Sequence, residues 1–221
     1  MNSKLKLLTA GLLALGVLAA ANVTGAAAAE FHCTVEPCRV TLKPDGETKT
    51  AHQVLTVKKE IGGFVVEAYG FTCSSVTGEG TLVGKLSKEM TLFNLEYHNC
   101  VTIGTNAQVK MNGCDYVLGS SGTLSVKCPP GAKIEWIAIG CTATIGEQGP
   151  LFGPTFHDAG TTKSEMTVQS ATKKIHGIIE ESKECSAEPG EFTLGEITTG
   201  SFILTAEKDN PFLEMVNVWW E

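Results

Sequence analysis

Residues 111–141, MNGCDYVLGSSGTLSVKCPPGAKIEWIAIGC, hold three of the chain's eight cysteines among alternating apolar residues and turn formers. Cys114, Tyr116 and Leu118 share one face of an extended segment, because successive strand side chains point to opposite sides. Leu124, Val126 and Cys128 do the same on the next segment, and the Gly/Ser-rich GSSGT between them is a turn signal. Pairing Leu118 with Leu124 sets Tyr116 opposite Val126 and Cys114 opposite Cys128, leaving Thr123, Ser125 and Lys127 on the wet face. Directly opposed residues bring their Cβ atoms within bridging range. The register thus predicts a Cys114–Cys128 disulfide, whose loop closure would stabilise the fold by about 3 kcal/mol. The competing pair, Cys128–Cys141 across PPGAK, lacks this symmetry.

Whether the thiols are staples at all depends on the compartment. The chain starts MNSKLKLLTAGLLALGVLAAANVTGAAAAE: Lys4 and Lys6, an apolar run from Leu7 to Ala21, then Ala27 and Ala29 before Glu30. That pattern predicts a secretory signal peptide at 1–29, cut after Ala29, with a retained membrane anchor as the alternative. Cys33, in EFHC, lacks the Leu and small residues of a lipoprotein site. No later apolar segment approaches a spanning length, so no integral span is expected after cleavage. In an oxidising compartment an even count of cysteines favours disulfides. The absence of any C-x-x-C argues against zinc and against a thioredoxin-like centre. Beyond Cys114–Cys128, proximity and order suggest Cys33–Cys38 around Pro37, then Cys73–Cys100 and Cys141–Cys185.

Strand signals run through residues 30–221. Val, Ile, Thr and aromatics recur in short stretches such as Phe64–Thr72, Thr81–Leu86, Thr91–Tyr97, Lys133–Ile139, Lys173–Glu180 and Phe192–Ile197. KPDGE, TGEG, MNG, PPGA and KDNP punctuate them as turns. No window after the leader keeps a helical period over three turns. The expectation is an all-β domain: an antiparallel sandwich or partly open barrel, stapled by disulfides. Segment 146–154 is rich in Gly and Pro and is expected as a loop or hinge; lobes at 30–145 and 155–221 are the bilobed version.

The order TAHQV (50–54), FTC (71–73), YHNC (97–100), NGCDYVL (112–118), CPPGAKIEW (128–136) and CTATIGEQ (141–148), ending in VNVWW, resembles a large paralogous group of exported, functionally uncharacterised proteins of soil actinobacteria. The resemblance implies a signal peptide, a disulfide-bearing β fold and no nameable activity, so it carries no catalytic residues. The chain departs from the group's pattern around TVQSATKKIHGIIEESKEC (167–185).

Chemistry-bearing residues are present but scattered. His98-Asn99-Cys100 has the right types for thiol catalysis, yet consecutive strand residues face alternate sides. Ser120 and Ser121 lie in a turn without the strand–nucleophile–helix context of an elbow; His157-Asp158 would have to approach a serine from elsewhere. The five histidines (His32, His52, His98, His157, His176) include no H-x-x-x-H pair. Glu180, Glu181, Glu184, Glu188 and Glu191 lack the Asp/Asn/Gly spacing of a calcium loop and read as a solvated patch. Neither a metal nor a cofactor is expected.

Loss of Lys4 and Lys6 leaves 15 basic against 24 acidic residues, a net charge of −9, which opposes nucleic acid and anionic lipid. In VNVWWE, Val216, Val218 and Trp220 share one face while Asn217 and Trp219 share the other. One tryptophan is expected in the core; core or edge packing of both is the ordinary reading, and an exposed stacking platform is the alternative that makes Trp219 and Trp220 the candidate binding surface. The sequence expectation is a non-enzymatic structural, adhesive or ligand-binding protein of the envelope or medium. Cell-wall glycan or another envelope protein would be its partner. The alternative is a secreted hydrolase of wall polymer or polysaccharide.

Overall fold

The computed structural model describes residues 29–44, 53–61, 64–102, 104–138, 140–159, 165–180, 189–206 and 217–221. Among the described residues there are eighteen strands and no helix. They are β1 (Phe31–Cys33), β2 (Cys38–Pro44), β3 (Gln53–Ile61), β4 (Phe64–Cys73), β5 (Ser75–Leu82), β6 (Leu86–Ser87), β7 (Glu89–His98), β8 (Cys100–Thr102) and β9 (Thr105–Lys110). There follow β10 (Asp115–Gly119), β11 (Thr123–Lys127), β12 (Ile134–Ala138), β13 (Cys141–Ile145), β14 (Gln148–Phe152), β15 (Thr155–Ala159), β16 (Glu165–Glu180), β17 (Gly190–Ala206) and β18 (Val218–Trp220).

One sheet holds fifteen strands in the order β14-β11-β10-β7-β5-β2-β17-β3-β4-β8-β9-β12-β13-β16-β15, and an added β16–β17 pairing turns it back on itself. From β17 round to β16 the strands close into an eight-stranded barrel. The remainder forms a curled sheet that shares the other halves of the same two strands: Phe202–Ala206 of β17 pairs with β2, whereas Gln53–Thr56 of β3 pairs with Thr199–Glu196. Three register shifts between β16 and β17, after Val168, Lys173 and Ile175, give the long ribbon the twist it needs to serve two sheets. Gly177 and Gly195 flank the Phe192 ring there, and a Cβ at either would collide with it. The bodies are therefore interleaved in sequence, so they do not divide as 30–145 and 155–221. The expected hinge at 146–154 instead carries β14, paired with β11. Pro150 is tolerated because β14 ends the sheet, where a missing N–H breaks no ladder bond.

The hairpin of β10 and β11 has Tyr116 opposite Val126 and Leu118 opposite Leu124. Cys114 and Cys128 are disulfide-bonded with Cα atoms 4.1 Å apart. Cys73–Cys100 clamps β4 to β8 with Cα atoms 3.9 Å apart, and Cys33–Cys38 ties β1 to the start of β2. Cys141 is also disulfide-bonded, and Cys185, its expected partner, lies outside the described residues.

Both bodies feed one continuous core. Barrel strands contribute Leu55, Phe71, Trp136, Ile175 and Ile197, and curled-sheet strands contribute Val40, Leu82, Leu92, Leu118 and Leu204. Tyr97 of β7 joins them: its ring lies 5.4 Å from that of Trp136, and its hydroxyl is 3.0 Å from that of Tyr116. A small third sheet, β18-β1-β6, pairs Phe31 with Trp220 and His32 with Trp219, so the segment after Ala29 lies against the end of the chain.

The TGEG turn and the Thr81–Leu86 strand are both displaced. Residues 75–82 are strand throughout, and the turn comes at Gly84, with φ +86°. Gly78 and Gly80 are strand residues whose missing side chains admit Leu95 and, at Gly80, Leu92 and Val40.

Candidate functional site

Among the described residues thiol chemistry is closed off first. Every described cysteine is disulfide-bonded, Cys100 included. Its neighbour His98 is occupied as well: Nε2 lies 2.9 Å from the Thr77 hydroxyl, and the backbone oxygen accepts from Ser74.

The residues singled out at GSSG, at HD and at the terminal tryptophans meet in one place. The turn after β10 is pinned from three directions. Ser120 N–H donates to Lys88 O at 2.8 Å, Gly153 N–H donates to Gly122 O at 3.1 Å, and Trp220 Nε1 donates to Ser120 O at 2.9 Å. Gly122 has φ +81°, and a Cβ there would lie 2.8 Å from Pro154 O, so the turn packs as closely as it does only with glycine. Phe156, buried on β15, meets Phe31 edge-on at 5.0 Å and Trp220 at 6.0 Å. The result is a pocket of about 360 Å³ lined by Ala29, Ser120, Ser121, Gly122, Pro154, Thr155, Phe156, His157 and Trp220. Its floor is apolar; Ser121, Thr155 and His157 are exposed around it.

This is not a serine triad. Among the described residues no hydrogen bond joins His157 to Ser120 or Ser121, and Asp158 Oδ1 accepts from the Trp220 backbone N–H at 3.0 Å. The tryptophans lie together on an edge strand and do not split between core and platform. Both are half-buried. Trp219 stacks on His32 with centroids 4.9 Å apart and planes 15° apart, and His32 Nε2 lies 3.8 Å from a Glu221 carboxylate oxygen. Trp220 is the one that lines a cavity.

A second and larger feature, an open cleft of about 680 Å³, lies where β2, β5 and β7 meet the start of β10. Glu79, Glu96 and Asp115 line it together with Lys43 and Asn94. Burial raises the Asp115 carboxyl above its ordinary value. Three carboxylates 17 or more residues apart could not be grouped from sequence, because their approach is made by pairings such as Thr77 with Glu96. Among the described residues no set of His, Cys, Asp and Glu is arranged to hold a metal. Of the acidic patch, Glu180 and Glu191 are exposed, while Glu181, Glu184 and Glu188 lie outside the described residues, as does His52.

No described helix is long and apolar enough to cross a membrane. Comparison with protein-family models, with curated proteins and with solved structures finds no match to this chain.

Proposed function

We propose that the protein is exported, with residues 1–29 as a signal peptide, and serves in the envelope or medium as a non-enzymatic ligand-binding module. The observation that carries this is the bonded state of every described cysteine, the condition favoured by an oxidising compartment. Two more observations support it. The candidate catalytic groups are engaged structurally: Cys100 in a bridge, His98 with Thr77 and Asp158 with the Trp220 backbone. Glu30, the first residue after the proposed cut, exchanges both backbone bonds with Glu221, at 2.7 and 3.2 Å. The resemblance to exported actinobacterial proteins points the same way. The test is to express the full chain with its leader in an actinobacterial host, recover the protein from medium and envelope fractions, and read its N-terminus. Recovery outside the cytoplasm, beginning at Glu30, with retention on isolated cell walls, is expected. A cytoplasmic protein with titratable thiols would overturn the proposal.

The carboxylate-lined cleft favours a second reading, a hydrolase of wall polymer or polysaccharide. A carboxyl raised by burial beside carboxylates left in water is the division of labour that acid–base hydrolysis uses. Release of reducing ends from wall polymer, abolished by Asp115→Asn, would establish this reading in place of the first.

A further inference from the structure

From the seam pocket we infer a ligand class: it takes one ring of a neutral pyranose oligosaccharide, the ring's apolar face on the aromatic floor and its hydroxyls on the polar rim. This rests on the proposed reading of the protein as an exported binding module.

Four features select this chemistry. The pocket, about 360 Å³, stands at the small end of the roughly 300–1,000 Å³ typical of ligand sites, which suits one ring of a chain running on across the surface. Its floor is the half-buried Trp220 ring, backed by the buried Phe156 and Pro154, and an indole is the apolar face on which the C–H face of a sugar rests. The indole is held in place, since Trp220 Nε1 and its backbone N–H are already committed to Ser120 O and Asp158 Oδ1. The floor is thus organised before any ligand arrives, which lowers the entropic cost of binding. Around it Ser121, Thr155 and His157 offer hydroxyls and an imidazole that can each donate or accept, matching a ligand whose every hydroxyl does both.

Charge narrows the class further. No lining residue carries a permanent charge. The acidic chain as a whole opposes teichoic or uronic polymers, leaving neutral sugars. Ala29 forms one side of the pocket, and cleavage after it would open that side; the new Glu30 amino group would stay where Glu30 N–H now donates to Glu221 O at 2.7 Å, and Glu30 itself does not line the pocket. The processed protein is therefore the form to test.

The experiment uses the secreted protein with cellohexaose, maltohexaose and chitohexaose, each read by tryptophan fluorescence and by chemical shifts, alongside retention on isolated cell walls. At least one oligosaccharide is expected to saturate with Kd near 1 mM (about −4 kcal/mol). Ser121→Ala and His157→Ala, both at exposed positions, should each weaken binding about fivefold without moving the melting temperature. Trp220→Phe, which keeps a ring, should bind more weakly, and Trp220→Ala not at all. Should the last variant fail to fold, the two rim variants still decide. Wall retention that survives both rim substitutions would overturn the pocket's role while leaving the binding-module reading standing. No saturation by any of the three, with no wall retention, would overturn both.

Discussion

The three described disulfides close loops of different size, so their removal should cost different amounts in a fixed order. Sequence separations are 5 for Cys33–Cys38, 14 for Cys114–Cys128 and 27 for Cys73–Cys100. Loop-closure entropy then gives about 2.2, 3.0 and 3.6 kcal/mol respectively at 25 °C. Replacing either the Cys33/Cys38 or the Cys73/Cys100 pair by alanines takes away similar sulfur packing, since all four are buried; in the third pair Cys114 is buried and Cys128 half-buried. Differences among the three variants therefore report chiefly on the unfolded chain. For a domain of this size, about 3 kcal/mol corresponds to a melting temperature lower by roughly 6–12 °C. Urea titrations of the three double variants, analysed with a common slope, measure the order directly. If the Cys33/Cys38 variant proved the least stable, or the Cys73/Cys100 variant lost under 1 kcal/mol, the cross-links would not act by restricting the unfolded chain.

Three further outcomes are expected. The Gln148 side chain mimics a strand: Nε2 donates to His176 O and Oε1 accepts from His176 N–H, both at 2.9 Å, so Gln148→Ala should cost about 1 kcal/mol and speed amide exchange at His176. Burial pushes the Tyr116 phenol up from 10.0 to about 12, with the Tyr97 hydroxyl bond opposing. Because the folded state favours the neutral phenol, about 3 kcal/mol of stability present below pH 10 should be lost as pH rises from 10 towards 12. Ultraviolet titration should show one late tyrosine, absent in Tyr116→Phe. The Asp115 carboxyl is raised by burial, so the folded protein holds that proton more tightly than the unfolded chain and stability falls as pH climbs past 3.8. Asp115→Asn should melt higher than the parent at neutral pH and lose that part of the slope.

What the sequence made legible was local. The β10–β11 register followed from period-two alternation around a Gly/Ser turn, and the structure has Leu118 opposite Leu124. Glycine misled where it acts through neighbours distant in sequence. In TGEG it reads as a turn, whereas Gly78 and Gly80 stay extended because Leu95 and Leu92 need the space. The Gly/Pro content of 146–154 hid β14 for a related reason, since an edge strand tolerates a proline that a central one would not. Trp220 was visible as a candidate, but its pocket was not. That site needs Ser120 from a hairpin turn, Phe156 from β15 and a C-terminal strand, brought together by pairings more than sixty residues apart.

The shared ribbon also bears on how such a chain could leave a cell. Val40 and Leu55, near the beginning, pair on one side with Gly80 and Phe71, but on the other side only with Ala206 and Ile197. Neither the barrel nor the curled sheet can be completed before the final quarter of the polypeptide has emerged, and contacts of such long range form slowly. If the protein is exported as proposed, delayed closure of this kind would keep the polypeptide threadable during its passage through a translocation pore.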